Sequence, residues 1–175
     1  MSKNYTKKQF LWYNVGDCGG LNMFRGIAAI NIDAKGRITV PASQRSILMD
    51  ESEGKVVLTI DTEDCCLLLY PLTQWLLIEE ELSALPSFNP ATRRIKRLLI
   101  GHATDLLLDK HGRILLPPLL REYAGLEQRI VLVGQGKKFE VWGESQWQMG
   151  RDSWLAEDTD DEDGGVPPEL MSLSL

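Results

Sequence analysis

Apolar positions alternate with polar ones in two short stretches of this chain, and the same polar turn opens each. The first reads Ile32-Asp33-Ala34-Lys35-Gly36-Arg37-Ile38-Thr39-Val40-Pro41, the second Leu108-Asp109-Lys110-His111-Gly112-Arg113-Ile114-Leu115-Leu116-Pro117. A period of two marks a strand with one buried face, so each stretch predicts a strand, a tight turn and a second strand, that is, a hairpin. Gly36 and Gly112 supply the positive φ of such a turn, and Asp33 and Asp109 can accept bonds from its backbone as Asx-type caps. The turns then present Lys35 with Arg37, and His111 with Arg113, at protruding tips. Pro41 and Pro117 end the strands, and the helical stretches that follow carry Arg45 and Arg121, each eight residues past its hairpin arginine.

The pattern repeats beyond the hairpin. Strand-like runs Val56-Val57-Leu58-Thr59-Ile60 and Cys66-Leu67-Leu68-Leu69-Tyr70 in the first copy correspond to Ile130-Val131-Leu132-Val133 and Phe139-Glu140-Val141-Trp142 in the second. Both pairs lead into a helix, with Trp75 five residues after Tyr70 and Trp147 five after Trp142. The period of 76 residues from Gly36 to Gly112 is too long for a solenoid unit and suits half of one folded body.

Between the copies the period changes to that of a helix. Trp75, Ile78, Leu82 and Leu85 form one apolar stripe beside Glu79-Glu80-Glu81, and Pro86 ends the run. Asn89 caps a second helix with Pro90 in its first turn. There Ile95, Leu98 and Leu99 share one face and Arg93, Lys96 and Arg97 another. These acidic and basic helices are expected to pair their charges across a helical hairpin, within one chain or between subunits, in preference to contacting DNA.

Composition fits one ordinary core: 175 residues, 43% of them hydrophobic. No apolar run approaches the ~18 residues of a membrane span, and Phe10-Leu11-Trp12-Tyr13 is too short and aromatic for a secretory segment, so a cytoplasmic protein is expected. Cys18, Cys65 and Cys66 make neither a disulfide framework nor a metal-ligand spacing, and adjacent strand cysteines point to opposite faces. The net charge of −6 changes meaning once divided: residues 151–175 hold eight acids and one base, which leaves the rest of the chain at +1. That stretch reads as an acidic disordered tail, and local patches rather than the total decide the partner.

Asp33 with Arg37, and Asp109 with Arg113, could simply be ion pairs across a turn. Their recurrence in one hairpin context, each with an extra base at the tip and an arginine eight residues on, favours an anion-binding role. Arginine can grip phosphate or the O6/N7 edge of guanine with two bonds, and a two-stranded ribbon fits the major groove.

Together, Met23-Phe24-Arg25-Gly26, Asp33-Ala34-Lys35-Gly36-Arg37, Leu67-Leu68-Leu69-Tyr70-Pro71, Arg93-Arg94, Arg97-Leu98-Leu99-Ile100-Gly101-His102-Ala103 and the second Asp-x-x-Gly-Arg resemble the MraZ family of bacterial transcriptional regulators. The resemblance covers Met23 to about Trp147. It implies a β-rich α+β fold in which two pseudo-symmetric AbrB-like swapped-hairpin halves form one barrel with a helical linker. It further implies assembly into a ring, and binding to short G-rich direct repeats of double-stranded DNA upstream of division and cell-wall genes, including the protein's own operon. The reading duty would fall first on Lys35 and Arg37, with His111 and Arg113 at the matching places and Lys110 beside them. Arg25, Arg45 and Arg121 complete the expected DNA-binding set, and Asp33, Gly36, Asp109 and Gly112 form the turns.

The organisation expected is a disordered extension over residues 1–22, a first half over 23–85, a connecting helix over 86–100, a second half over 101–150 and the acidic tail over 151–175. Lys3, Lys7 and Lys8 receive no site, since the composition of their stretch fits plain disorder.

Two other classes compete. Catalysis lacks visible machinery: there is no Gly-rich phosphate loop, nucleophile elbow or paired metal motif, so no cofactor or metal is expected. His102 reads as a capping or core histidine and His111 as a phosphate contact. A protein-interaction ring or antitoxin-like module would need an apolar partner-wrapping tail, and Val166, Leu170, Met171, Leu173 and Leu175 are thin for that purpose.

Overall fold

The computed structural model describes residues 23–156. Its elements run β1 (Ile27–Asn31), β2 (Arg37–Thr39), α1 (Ala42–Ser52), β3 (Lys55–Ile60), β4 (Leu67–Pro71), α2 (Leu72–Ala84), α3 (Pro90–His102), β5 (Thr104–Leu107), β6 (Arg113–Leu115), α4 (Pro118–Tyr123), β7 (Arg129–Gly134), β8 (Phe139–Gly143) and α5 (Glu144–Ala156). The order strand, turn, strand, helix, strand pair, helix occurs twice, as the repeat predicts.

The strands combine across the repeat. An antiparallel six-stranded sheet has the order β1-β7-β8-β4-β3-β5, and β2 pairs with β6 in a separate ribbon. Each half thus lends its first strand to the other: Ile27–Asn31 lies along Val133–Arg129, and Thr104–Leu107 along Leu58–Lys55. This corrects the simple hairpin expectation, because β1 does not ladder onto β2, nor β5 onto β6. The turns close locally, but beyond them Ile38 and Val40 are drawn inward against Ile114 and Leu116, and all four are buried. Burying an aliphatic side chain of this size contributes ~1.5–3 kcal/mol, enough to turn each second strand away from its neighbour.

The expected barrel is not closed. β1 and β5 are the two edges of an open sheet, and the β2–β6 ribbon lies over its inner face. Facing the ribbon are Val56, Leu58 and Ile60 of β3, Leu67 and Leu69 of β4, Ile130 and Leu132 of β7, and Phe139 and Val141 of β8. Leu48 of α1 and Leu120 of α4 complete this core. The opposite face of the sheet holds Cys66, Leu68, Val131, Val133 and Trp142. Cys65 is exposed and Cys66 buried, but both precede β4, so strand alternation is not the reason; Cys18 lies outside the described residues.

The helices follow the predicted stripes with two corrections. Trp75 is buried, and Ile78 and Leu82 are half-buried, but Leu85 is exposed beyond the end of α2. The Asn89 side chain accepts from the Ala91 amide at 2.8 Å, as the cap reading requires. The first correction concerns the charges of α2 and α3 within one chain. Arg93 donates to the carbonyls of Ser87 and Phe88, and Lys96 to those of Ser83 and Leu85. Lys96 therefore satisfies carbonyls left open where α2 ends and Arg93 those of the turn that follows, and among the described residues no ion pair joins them to Glu79, Glu80 or Glu81.

The second correction is that α5 continues to Ala156, six residues into the stretch expected to be disordered. Trp154 packs edge-to-face at 5.7 Å from Trp142 and 5.8 Å from Trp147, which anchors the helix where the acidic composition begins. The connecting helix likewise runs to His102. Residues 1–22 and the acidic run from 157 onward lie outside the described residues. Among those described, no helix is long and apolar enough to cross a membrane.

Candidate functional site

The two turns adopt the same geometry residue for residue. In the first, the Gly36 amide donates to the Asp33 carbonyl at 2.8 Å and the Asp33 amide to the Arg37 carbonyl at 2.8 Å. The second repeats this with Gly112 to Asp109 at 2.8 Å and Asp109 to Arg113 at 2.9 Å. Gly36 and Gly112 have φ of 80° and 71°, the conformation predicted for them.

Each aspartate also organises its turn through its side chain. Asp33 Oδ1 accepts from the Lys35 and Arg37 amides at 2.8 and 2.9 Å, and Asp109 Oδ1 from the His111 and Arg113 amides at 2.8 and 3.0 Å. The other oxygen takes the arginine: Arg37 Nε and Nη2 meet Asp33 Oδ2 at 2.8 and 2.6 Å, and Arg113 does the same to Asp109 at 2.8 and 2.8 Å. The Arg37 side chain, with the backbone amides of the turn, holds the Asp33 carboxyl down to about 2. Arg113 likewise holds Asp109 well below the usual carboxylate range. Both acids are therefore charged at neutral pH and fix their arginines, leaving Lys35 and Lys110, both exposed, as the excess positive charge of each tip.

The ribbon sets where the tips point. Arg37 lies opposite Leu115, Ile38 opposite Ile114, and Thr39 opposite Arg113. Directly opposed residues share a face, so Ile38 and Ile114 face the core while Arg37, Thr39, Arg113 and Leu115 face outward. The two arginines thus occupy one outward face on a diagonal, about 7 Å apart along the strand direction. The tips flank opposite ends of this ribbon.

The remaining expected site residues fall elsewhere. Arg25 is exposed beyond the start of β1, its carbonyl accepting from Gln44 Nε2 at 3.0 Å, which sets it beside the first turn of α1. Arg45 and Arg121 are half-buried and packed against the turns of the opposite halves: Arg121 covers Gly36, and Arg45 covers Gly112. Arg45 Nη2 also donates to the Val40 carbonyl at 3.1 Å. Sequence reasoning missed this crossing; its one signal was the eight-residue spacing, kept in both copies. His111 is exposed at the second tip. His102 is the last residue of α3, its Nδ1 2.8 Å from the Leu98 carbonyl.

Comparison with known proteins agrees with the repeat. A family model described as "MraZ protein, putative antitoxin-like" matches residues 23–98 and again 99–162. The protein named transcriptional regulator MraZ from Coxiella burnetii (strain RSA 493 / Nine Mile phase I) is 59% identical over 153 residues, covering 87% of this chain and 100% of that protein. Proteins of the same name from Legionella pneumophila (strain Philadelphia 1) and Halorhodospira halophila (strain DSM 244 / SL1) are 55% and 53% identical over the same shares.

Proposed function

The chain belongs to the MraZ family, and on that premise we propose that it is a transcriptional regulator that reads double-stranded DNA with its two basic tips. The observation that carries this reading is the outward face of the β2–β6 ribbon, where Arg37 and Arg113 stand in identical settings with Lys35 and Lys110 beside them. A two-stranded ribbon has the width of the major groove, and an arginine already oriented by a carboxylate loses little freedom on gripping a base edge or phosphate. In this reading Arg37 and Arg113 specify bases. Lys35, Lys110, His111 and Arg25 contact phosphates, and the aspartates touch no DNA.

One tip makes few base contacts, and each good bidentate pair contributes only ~1–3 kcal/mol of discrimination. Binding to tandem short repeats by several copies raises the effective concentration of every tip. The proposed target is the protein's own promoter, ahead of a division and cell-wall gene cluster, which makes the protein cytoplasmic and nucleoid-associated. Assembly into a ring is supported by the edges of β1 and β5 that no strand of the described residues pairs, where Ile27 and Leu107 are each 63% exposed.

The test is a gel-shift titration against duplexes enriched from a random pool. Arg37→Ala is expected to abolish specific binding while leaving the fold intact, since the change removes no core volume; wild-type affinity for that variant refutes the assignment. Lys35→Ala should flatten the salt dependence by about one unit of slope. Under the alternative, a protein-interaction ring or antitoxin-like module, retention on DNA would be absent and capture of a protein partner insensitive to salt.

A further inference from the structure

The eight-residue spacing made Arg45 and Arg121 candidates for DNA contact, yet both side chains are folded back onto glycines. A Cβ built on Gly36 would stand 3.1 Å from Arg121 Cζ and 3.3 Å from each of its terminal nitrogens. A Cβ on Gly112 would overlap the Arg45 stem and guanidinium outright. The Nε atoms of both arginines are buried and have no hydrogen-bond partner among the described residues. The same glycines are held from the same side by backbone bonds: Leu116 donates to the Gly36 carbonyl at 2.9 Å and Val40 to the Gly112 carbonyl at 3.0 Å.

We infer that Arg45 and Arg121 are positioning residues, each clamping the tip of the opposite half, so that the aim of either DNA-reading arginine is set by the other copy of the repeat. This inference rests on the proposed function for what the tips read, but not for the clamp itself. Four independent contacts carry it, two arginines on two glycines and two strand-end amides on the same two carbonyls, arranged reciprocally. A clamp matters because a bidentate grip on a base edge tolerates only ~0.5 Å of misplacement, and an exposed four-residue turn does not hold that tolerance alone. The two clamps differ in build. Arg45 covers Gly112 with the end of its stem and the inner part of its guanidinium, Cδ, Nε and Cζ, and is tied to Val40, whereas Arg121 covers Gly36 with Cζ and the two terminal nitrogens.

Amide hydrogen exchange on the full chain, followed residue by residue, tests the clamp without DNA. Arg121→Ala should lose protection at Gly36 and Arg37 in the first tip and leave Gly112 and Arg113 unchanged; Arg45→Ala should do the reverse. Arg45→Lys should restore part of the second tip's protection, because lysine keeps Cδ and puts Cε near the place of Nε, whereas Arg121→Lys, which loses every guanidinium atom that touches Gly36, should not restore the first. If Arg45→Ala fails to fold, Arg121→Ala and the two lysine variants still decide. A parallel titration with a mixed-sequence duplex should show Arg121→Ala binding more weakly with an unchanged salt slope.

A slope lower by ~0.9, with exchange at both tips as in wild type, would mean a direct phosphate contact and overturn the inference. Loss of protection spread over both tips and the sheet would overturn it too, as a general structural role. A chain that ignores DNA at every salt concentration sinks the reading of the tips and leaves the clamp, measured on the free protein, standing.

Discussion

Arg37 and Asp33 meet at a single atom: two nitrogens of one guanidinium converge on Oδ2, while Oδ1 is left to the turn amides. The carboxylate thus orders the turn with one oxygen and aims the arginine with the other. Its pKa is lowered to about 2, chiefly by the Arg37 side chain. A folded-state value below the unfolded ~3.9 means that this contribution is complete above about pH 4 and is lost as pH falls towards 2.

The first tip should accordingly be insensitive to pH across the neutral range and loosen only in strong acid. Following the Asp33 carboxyl carbon by NMR should give a midpoint near 2. A midpoint close to 4 would mean that the pair does not form in solution.

The two tip glycines should differ in their tolerance of alanine. A side chain in the left-handed region costs roughly 1–2 kcal/mol by itself, and Gly36→Ala should lose at least that much in chemical denaturation, its methyl group also pressing on Arg121. Gly112→Ala should lose more, because its methyl group also displaces Arg45. Adding Arg45→Ala to Gly112→Ala should recover part of the excess, and equal costs at the two glycines would contradict the seating described.

Trp154→Ala should destabilise the end of α5. The indole is 45% exposed but contacts both Trp142 and Trp147, and aromatic pairs of this kind contribute ~0.5–1.5 kcal/mol each beyond area burial. A loss of about 1–3 kcal/mol by denaturation, with reduced helix content by circular dichroism, is expected. An unchanged midpoint would show that α5 past residue 150 is not held by this contact.

Much of the fold was legible because its signals are local. The Asp-x-x-Gly-Arg turns, the strand pairs after them, the Asn89-Pro90 helix start and the Trp75 stripe as far as Leu82 each depend on a few neighbouring residues, and each stands where expected. What depends on distant partners was not legible. Nothing within Ile27–Asn31 says that it pairs with β7 rather than β2, and nothing near Arg45 says that Gly112 lies beneath it. Within the chain the charges of α3 misled because opposite sign suggested Glu79–Glu81, when the acceptors are carbonyls at the end of α2 and in the turn before α3. Trp154 was hidden by averaging, one indole among eight acids. At the tips the sequence named the residues, and the structure added their common outward face and the arginines behind them.

β1 finds its ladder only on β7, and β5 only on β3, so among the described residues neither half of the repeat is a finished fold. The molecule is in effect a symmetric homodimer whose subunits have been spliced through α3 into a single polypeptide. Dilution cannot part them: the two tips stay on one body, however scarce the protein becomes.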